Sequence, residues 1–368
     1  MNKTIGQLLF IGVSGEVLTL EEQAFIIENN IGGVVLFGRN LKSPLQIHSL
    51  CCEIQSLRHQ MPDKAPIFIG VDMEGGRVRR LKEPFTPWPS LSKLGDLDNP
   101  TATYHFAYCM GLELKAAGFN LDFAPSVDVL TNPNNTVIGD RALSIDAKMV
   151  DKHASALVRG YIKAGILTCA KHFPGHGNTM LDSHVALPVE QTDLKQLQER
   201  ELIPFKKVIK SRVDMLMMAH ILFPKIDPEN PVTFSERFIQ QMVREDFRYK
   251  GIVISDDLDM GAMTTQWTVE EIPVKALKAG IEILLYCNEP NSPKIAIESI
   301  MAAVAQGQID KKHLELIKQK ILTLKKEKLT DPDPMPFSEA IKLIGHPDHL
   351  KLAAALAKGE APAGLVLE

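Results

Sequence analysis

One lysine, three histidines and an aspartate lie close together in this chain, in the run Lys171-His172-Phe173-Pro174-Gly175-His176-Gly177 and the following Asp182-Ser183-His184. Glycine and proline mark the stretch as a loop, and loops on a rigid scaffold are where catalytic groups concentrate. In an extended stretch Asp182 and His184 share one side, so the carboxylate can fix the imidazole's tautomer and stabilise its protonated form. A histidine held this way can donate a proton and later take one back. A second run, Ile252 to Met260, sets Ser255, Asp256 and Asp257 at the tip of an apolar strand. A carboxylate there is costly unless paired or used. Asp256 reads as functional; Asp257 reads equally well as a cap for free helix amides. A metal reading stands beside these, because His172, His176, His184, His220 and Asp256 are all able to bind zinc. Lys171 would repel a cation, and the first strand ends Gly12-Val13-Ser14 without a ligand. We expect neither metal nor organic cofactor, and we read His220 as a packing or hydrogen-bonding residue near the site.

These residues need positioning. Short apolar runs recur at Leu8–Val13, Gly32–Phe37, Ile67–Val71, Leu121–Pro125, Ile166–Ala170, Met215–Ala219, Ile252–Ser255 and Ile281–Cys287. Each is bounded by turn-forming or polar residues, as buried parallel strands are. Helical patterns separate them, including Ser43–Arg58, Ala102–Ala117, Ala147–Ala164, Leu194–Ser211 and Ser235–Phe247. Gly118 and Gly165 are natural stops, and Ser235 a natural start. Eight strands alternating with helices predict an α/β fold, a (β/α)8 TIM-type barrel. An open doubly wound sheet is the alternative, but no strand leads into a G-x-G-x-x-G turn. Barrel active sites lie at the C-terminal strand ends. Asp72, Glu74 and Arg77 follow the third strand, Asp128, Asp140 and Arg141 the fourth, and the lysine–histidine run the fifth. His220 ends the sixth, and Asp256 and Asp257 the seventh. Their shared end of the barrel argues for a single site.

The 368 residues are 45% hydrophobic and 23% charged, an ordinary globular composition. A net charge of -4 and the lack of a long basic block weigh against a nucleic-acid surface. Lys206-Lys207 and Lys325-Lys326 read as solvated helix faces. Five cysteines without C-x-x-C spacing fit neither a disulfide framework nor a zinc ribbon. No membrane span or signal peptide is expected. Together these point to the cytoplasm; they do not give the oligomeric state, for which a monomer is the expectation. Residues 1–330 read as the catalytic barrel. Residues 331–368 read as a linker-like segment with one helix, a loosely held tail and no second domain.

Asp72-Met73-Glu74-Gly75-Gly76-Arg77-Val78-Arg79-Arg80, Gly139-Asp140-Arg141, the Lys171–Gly177 run, Asp182-Ser183-His184 and Ser255-Asp256-Asp257-Leu258 occur in that order. Together they closely resemble the bacterial β-N-acetylglucosaminidases of glycoside hydrolase family 3, over about Gly6 to Lys326. The resemblance implies a retaining double displacement, with Asp256 as nucleophile and His184, partnered by Asp182, as general acid/base. It implies that Asp72, Arg80, Arg141, Lys171 and His172 hold a terminal N-acetylglucosamine. The implied substrate is a muropeptide, N-acetylglucosamine on 1,6-anhydro-N-acetylmuramic acid, and the implied role is peptidoglycan recycling. Met73 departs from the family, which often has glutamine there, so a contact near the sugar is expected to change. His346–Ala353 is similar to the linker that precedes a second domain in some members. Three rival readings remain open. One is a family 3 glycosidase using the substrate's own acetamido group or a phosphate acceptor. Another is a metal-dependent barrel hydrolase of amides or esters, and the last a sugar-binding protein without turnover.

Overall fold

In the computed structural model, residues 1–181, 183 and 185–361 are described. Eight strands close into a parallel barrel: β1 (Leu9–Gly12), β2 (Gly33–Val35), β3 (Phe68–Val71), β4 (Leu121–Asp122), β5 (Leu167–Phe173), β6 (Met215–Met218), β7 (Ile252–Asp257) and β8 (Ile283–Tyr286). Each pairs with its sequence neighbour, and β8 closes on β1 through Leu9↔Leu284 and Phe10↔Leu285. Each of the eight apolar runs falls on one strand, and β5 and β7 continue past theirs, to Phe173 and Asp257. The runs are apolar on both faces because side chains fill the barrel on one side and helices cover the other. Phe10 packs on Phe68 and Phe123 inside, with centroids 5.4 and 6.4 Å away. Gly70 makes room for this plug, since a Cβ there would stand 2.9 Å from the Phe123 ring.

Local chemistry sets the helix ends. Thr19 and Glu22 form a capping box on Leu20–Asn29, and Ser43 with Pro44 opens Pro44–Leu57. Pro100–Ala117 and Ala147–Ala164 stop at Gly118 (φ 100°) and Gly165 (φ 82°), as anticipated. Ser235 Oγ accepts from the Phe238 amide at 3.3 Å, opening the π-wound helix Arg237–Asp246. The expected helix Leu194–Ser211 divides into Leu194–Glu199 and Leu202–Lys210. Pro204 explains the break: it has no N–H for the Arg200 carbonyl, and its ring crowds that group.

Two strands carry an irregularity that matters below. Along β5 the register passes from Ala170↔Leu216 to Phe173↔Met218, so one extra residue stands at Lys171–His172. Along β7 it passes from Ile283↔Ile254 to Leu285↔Asp257, with the extra residue at Ser255–Asp256.

Two further expectations fail. Lys325 does not belong to a solvated face: it is 1% exposed at the N-terminal end of the barrel. Its Nζ donates to Gln7 Oε1 (2.9 Å) and Gly32 O (2.8 Å) and lies 4.7 Å from the Phe68 centroid. The segment after residue 330 forms two helices, Phe337–Leu343 and Pro347–Ala357, where one was expected. It is fastened to the barrel helices, by the fork of Arg58 on Asp333 (2.8 Å twice) and by His349 Nδ1 against Glu113 Oε1 (2.8 Å).

Candidate active site

A cleft of about 700 Å³ opens at the C-terminal end of the barrel, within the usual size of small-molecule sites. Val35, Phe123, Met217 and Leu285 contribute apolar lining, and the charged residues named from the sequence line it too. Successive side chains on a regular strand point to opposite faces. Yet Lys171 and His172 both line the cleft, as do Asp256 and Asp257. The bulges in β5 and β7 account for this, because an extra residue re-aims the side chains beside it. Lys171 and His172 therefore end a strand, where the sequence suggested a loop.

Lys171 is 2% exposed and buried among carboxylates. Its ammonium contacts Asp72 Oδ1 at 2.6 Å and Glu74 Oε1 at 2.8 Å. Glu74 also receives a fork from Arg141, through Nε at 2.9 Å and Nη2 at 2.8 Å. Burial alone would raise the Glu74 carboxyl, but Arg141 and Lys171 outweigh it and hold the group far below the carboxylate range. Burial alone would likewise lower the Lys171 ammonium, and Asp72 and Glu74 push it up instead. Glu74, Arg141 and Lys171 therefore stay charged at neutral pH. The sequence places Glu74 at this end of the barrel and gives it no role. Its place two residues after Asp72 is the sequence signal that points to it.

Asp256 lies on β7, half-buried, with Oδ1 accepting from the Asp257 amide at 2.8 Å. Burial would raise its carboxyl; His172, His220, the Asp257 amide and Lys171 overcome this and lower it. The result is an anionic oxygen facing the cleft. Asp257 does not cap a helix. Its Oδ1 accepts from the amides of Asp259 and Cys287 (both 3.1 Å) and its Oδ2 from Asn288 Nδ2 (3.1 Å), so it ties the β7 loop to the β8 loop. Burial, with Asp259 and Asp256 nearby, pushes its carboxyl up to about 7. His220 is buried and bonds Thr233 Oγ1 (2.6 Å) and Asp257 O (3.0 Å), the hydrogen-bonding role read from the sequence.

Arg80 lines the cleft, and its buried Nε has no hydrogen-bond partner among the described residues. A ligand oxygen would satisfy it. Arg77 and Asp140 pair at 3.0 Å, both about half exposed, at the rim. Met73 is buried in the hairpin beyond β3 and is not among the cleft-lining residues, so the change from glutamine alters the core rather than the described lining. The loop after β5 begins firmly. His176 N donates to Asp128 Oδ1 at 2.7 Å, and Gly177 lies so close to Val129 that a Cβ would overlap its carbonyl. Burial first, and then the neighbouring His172 ring, bring the His176 imidazole down to about 4, so it is neutral near pH 7. Asp182 and His184 lie outside the described residues. Ser183 between them is buried, lines the cleft and contacts His176 Nε2 at 3.2 Å. Among the described residues, no three His, Cys, Asp or Glu side chains group as metal ligands, and no helix is long and apolar enough to cross a membrane.

The geometry thus offers a fixed anion beside fixed donors (Lys171, Arg141, Arg80) and an acceptor (Asp72), a set suited to a hydroxyl-rich ligand. Comparison with known proteins agrees with this. The glycosyl hydrolase family 3 N terminal domain matches residues 1–324. A beta-hexosaminidase of Nitrosomonas eutropha is 35% identical over 298 residues, 79% of this chain and 84% of that protein. A glycoside hydrolase family 3 beta-N-acetylglucosaminidase from a Paenibacillus species superposes with a TM-score of 0.91 at 32% identity, over 98% of this chain and 68% of that one. NagZ from Neisseria gonorrhoeae, in complex with N-trifluoroacetyl-D-glucosamine, gives 0.77 at 29% identity, over 96% and 98%.

Proposed function

The chain belongs to glycosyl hydrolase family 3, and from that premise we propose that its cleft removes terminal N-acetylglucosamine from β-glycosides by a retaining double displacement. Asp256 attacks the anomeric carbon, and His184, oriented by Asp182, protonates the leaving oxygen. His184 then deprotonates the water that releases the sugar. Asp72, Arg80, Arg141, Lys171 and His172 hold the sugar through its hydroxyls and acetamido group. The observation that carries this reading is Asp256: an ionised carboxylate at a strand end, facing the cleft that Lys171, Arg141 and His172 also line. Most glycosidases use two carboxyl groups. An imidazole in place of one suits neutral pH, where it can serve as acid and then as base.

The substrate assigned on this reading is a muropeptide, N-acetylglucosamine on 1,6-anhydro-N-acetylmuramic acid, and the setting is cytoplasmic peptidoglycan recycling. Incubation with purified muropeptides and mass analysis of the products tests it. Release of free N-acetylglucosamine, unaffected by chelator and lost in Asp256→Ala and His184→Ala, is the expected result. Full turnover by either variant would overturn the role given to that residue. Added phosphate yielding a sugar 1-phosphate would replace water with phosphate as acceptor and keep the nucleophile.

A further inference from the structure

Asp128 is fully buried on the loop after β4, beneath His172. Its Oδ2 lies 2.7 Å from His172 Nδ1, and both oxygens lie 3.3 Å from the His172 amide. The Ser126 hydroxyl donates to Oδ2 at 3.2 Å. Burial alone would raise this carboxyl, but His172, His176 and the His176 amide bring it down to about 2. It is a carboxylate at any working pH, and a carboxylate only accepts. Nδ1 of His172 therefore carries a hydrogen. Across the ring, Nε2 stands 3.4 Å from Arg141 Nη2. A guanidinium only donates, so Nε2 presents its lone pair.

We infer that Asp128 is a positioning residue of this cleft: it locks His172 as the neutral Nδ1–H tautomer, so that a ligand hydroxyl can take the Nε2 lone pair in place of the long 3.4 Å contact with Arg141, which keeps its fork on Glu74. Through the His176 amide the same carboxylate pins the start of the loop that bears residues 182 and 184. The lock matters because the neighbouring groups are mostly donors. Lys171, Arg141 and Arg80 cannot accept a hydrogen from a hydroxyl; His172, like Asp72, can. That the ligand is a sugar rests on the function proposed above; the tautomer does not.

Asp128→Asn tests the inference, because an amide NH2 can donate to Nδ1 and force the hydrogen onto Nε2, where it would oppose Arg141. Ring-nitrogen NMR of 15N-histidine-labelled enzyme, without ligand at pH 7, should show wild-type His172 protonated at Nδ1 alone and the variant protonated at Nε2. The variant's inhibition constant for N-acetylglucosamine should rise at least about tenfold, with kcat/KM down roughly a hundredfold or more, as for other wrong-tautomer and misplaced-group variants. Wild-type His172 protonated at Nε2, or at both nitrogens, would overturn the inference even if the variant failed to fold. So would a flipped tautomer with unchanged inhibition and kinetics. A wild-type enzyme with the expected tautomer that does not bind N-acetylglucosamine would keep the lock and remove the substrate assignment.

Discussion

The two ends of the barrel each bury a lysine, and the two lysines are shifted in opposite directions. At the C-terminal mouth, Lys171 contacts two carboxylates, and its ammonium is pushed above the ordinary lysine value. At the N-terminal end, Lys325 donates to an amide oxygen and a carbonyl and lies against a ring face, and burial, only partly offset by Asp63, brings it down to about 7. Burial is nearly equal, at 2% and 1% exposure. Partners decide the charge. The mouth keeps a fixed cation because carboxylates surround it, and that cation is available to orient a ligand and to help ionise Asp256. The base holds a lysine as a packing element with a polar tip. Activity should therefore depend on the mouth, and the pH dependence of stability on the base.

Substitutions separate the two roles. Asp256→Ala should abolish turnover, on the order of 10⁴-fold or more, while the thermal midpoint holds or rises; a calorimetric scan beside a chromogenic assay checks both. Lys171→Met should cost activity and stability together. It leaves Asp72 and Glu74 short of a buried cation, and breaking a buried ion pair costs about 3–5 kcal/mol, which urea unfolding measures. Glu74→Gln is milder, since Lys171 keeps Asp72. A loss of up to about a hundredfold in kcat/KM, mostly in KM, would mark Glu74 as the group that orients Lys171 and Arg141. Lys325→Met should leave activity unchanged, lower stability by taking the donor from Gln7 Oε1, and remove a slope. Between about pH 7 and pH 10 the unfolded lysine binds a proton that the folded one does not. Wild-type stability therefore rises with pH there, by at most about 1.4 kcal/mol per pH unit. Below pH 7 both states hold the proton and the slope vanishes. The variant should lack this rise; an identical slope in both proteins would erase the contrast between the two ends.

The barrel was legible because its strands are apolar on both faces, and the site because its polar residues follow strand ends at one mouth. The bulges were not legible: one inserted residue leaves the apolar pattern of β5 and β7 intact, yet it brings Lys171 beside His172 and Asp256 beside Asp257 on the cleft side. Glu74 follows the third strand, but its partners come from other loops, Arg141 being 67 residues away. Lys325 had a signal that charge alone obscured. The buried positions of helix Lys311–Lys328 are Leu314, Ile317, Ile321 and Lys325, a helical stripe on which the lysine falls.

Covalent trapping tests the central claim most directly. Incubating the enzyme with a 2-fluoro glycosyl fluoride, followed by proteolysis and mass spectrometry, should find the sugar esterified to Asp256 alone. A label on Asp257, Asp259 or any residue other than Asp256 would contradict the account.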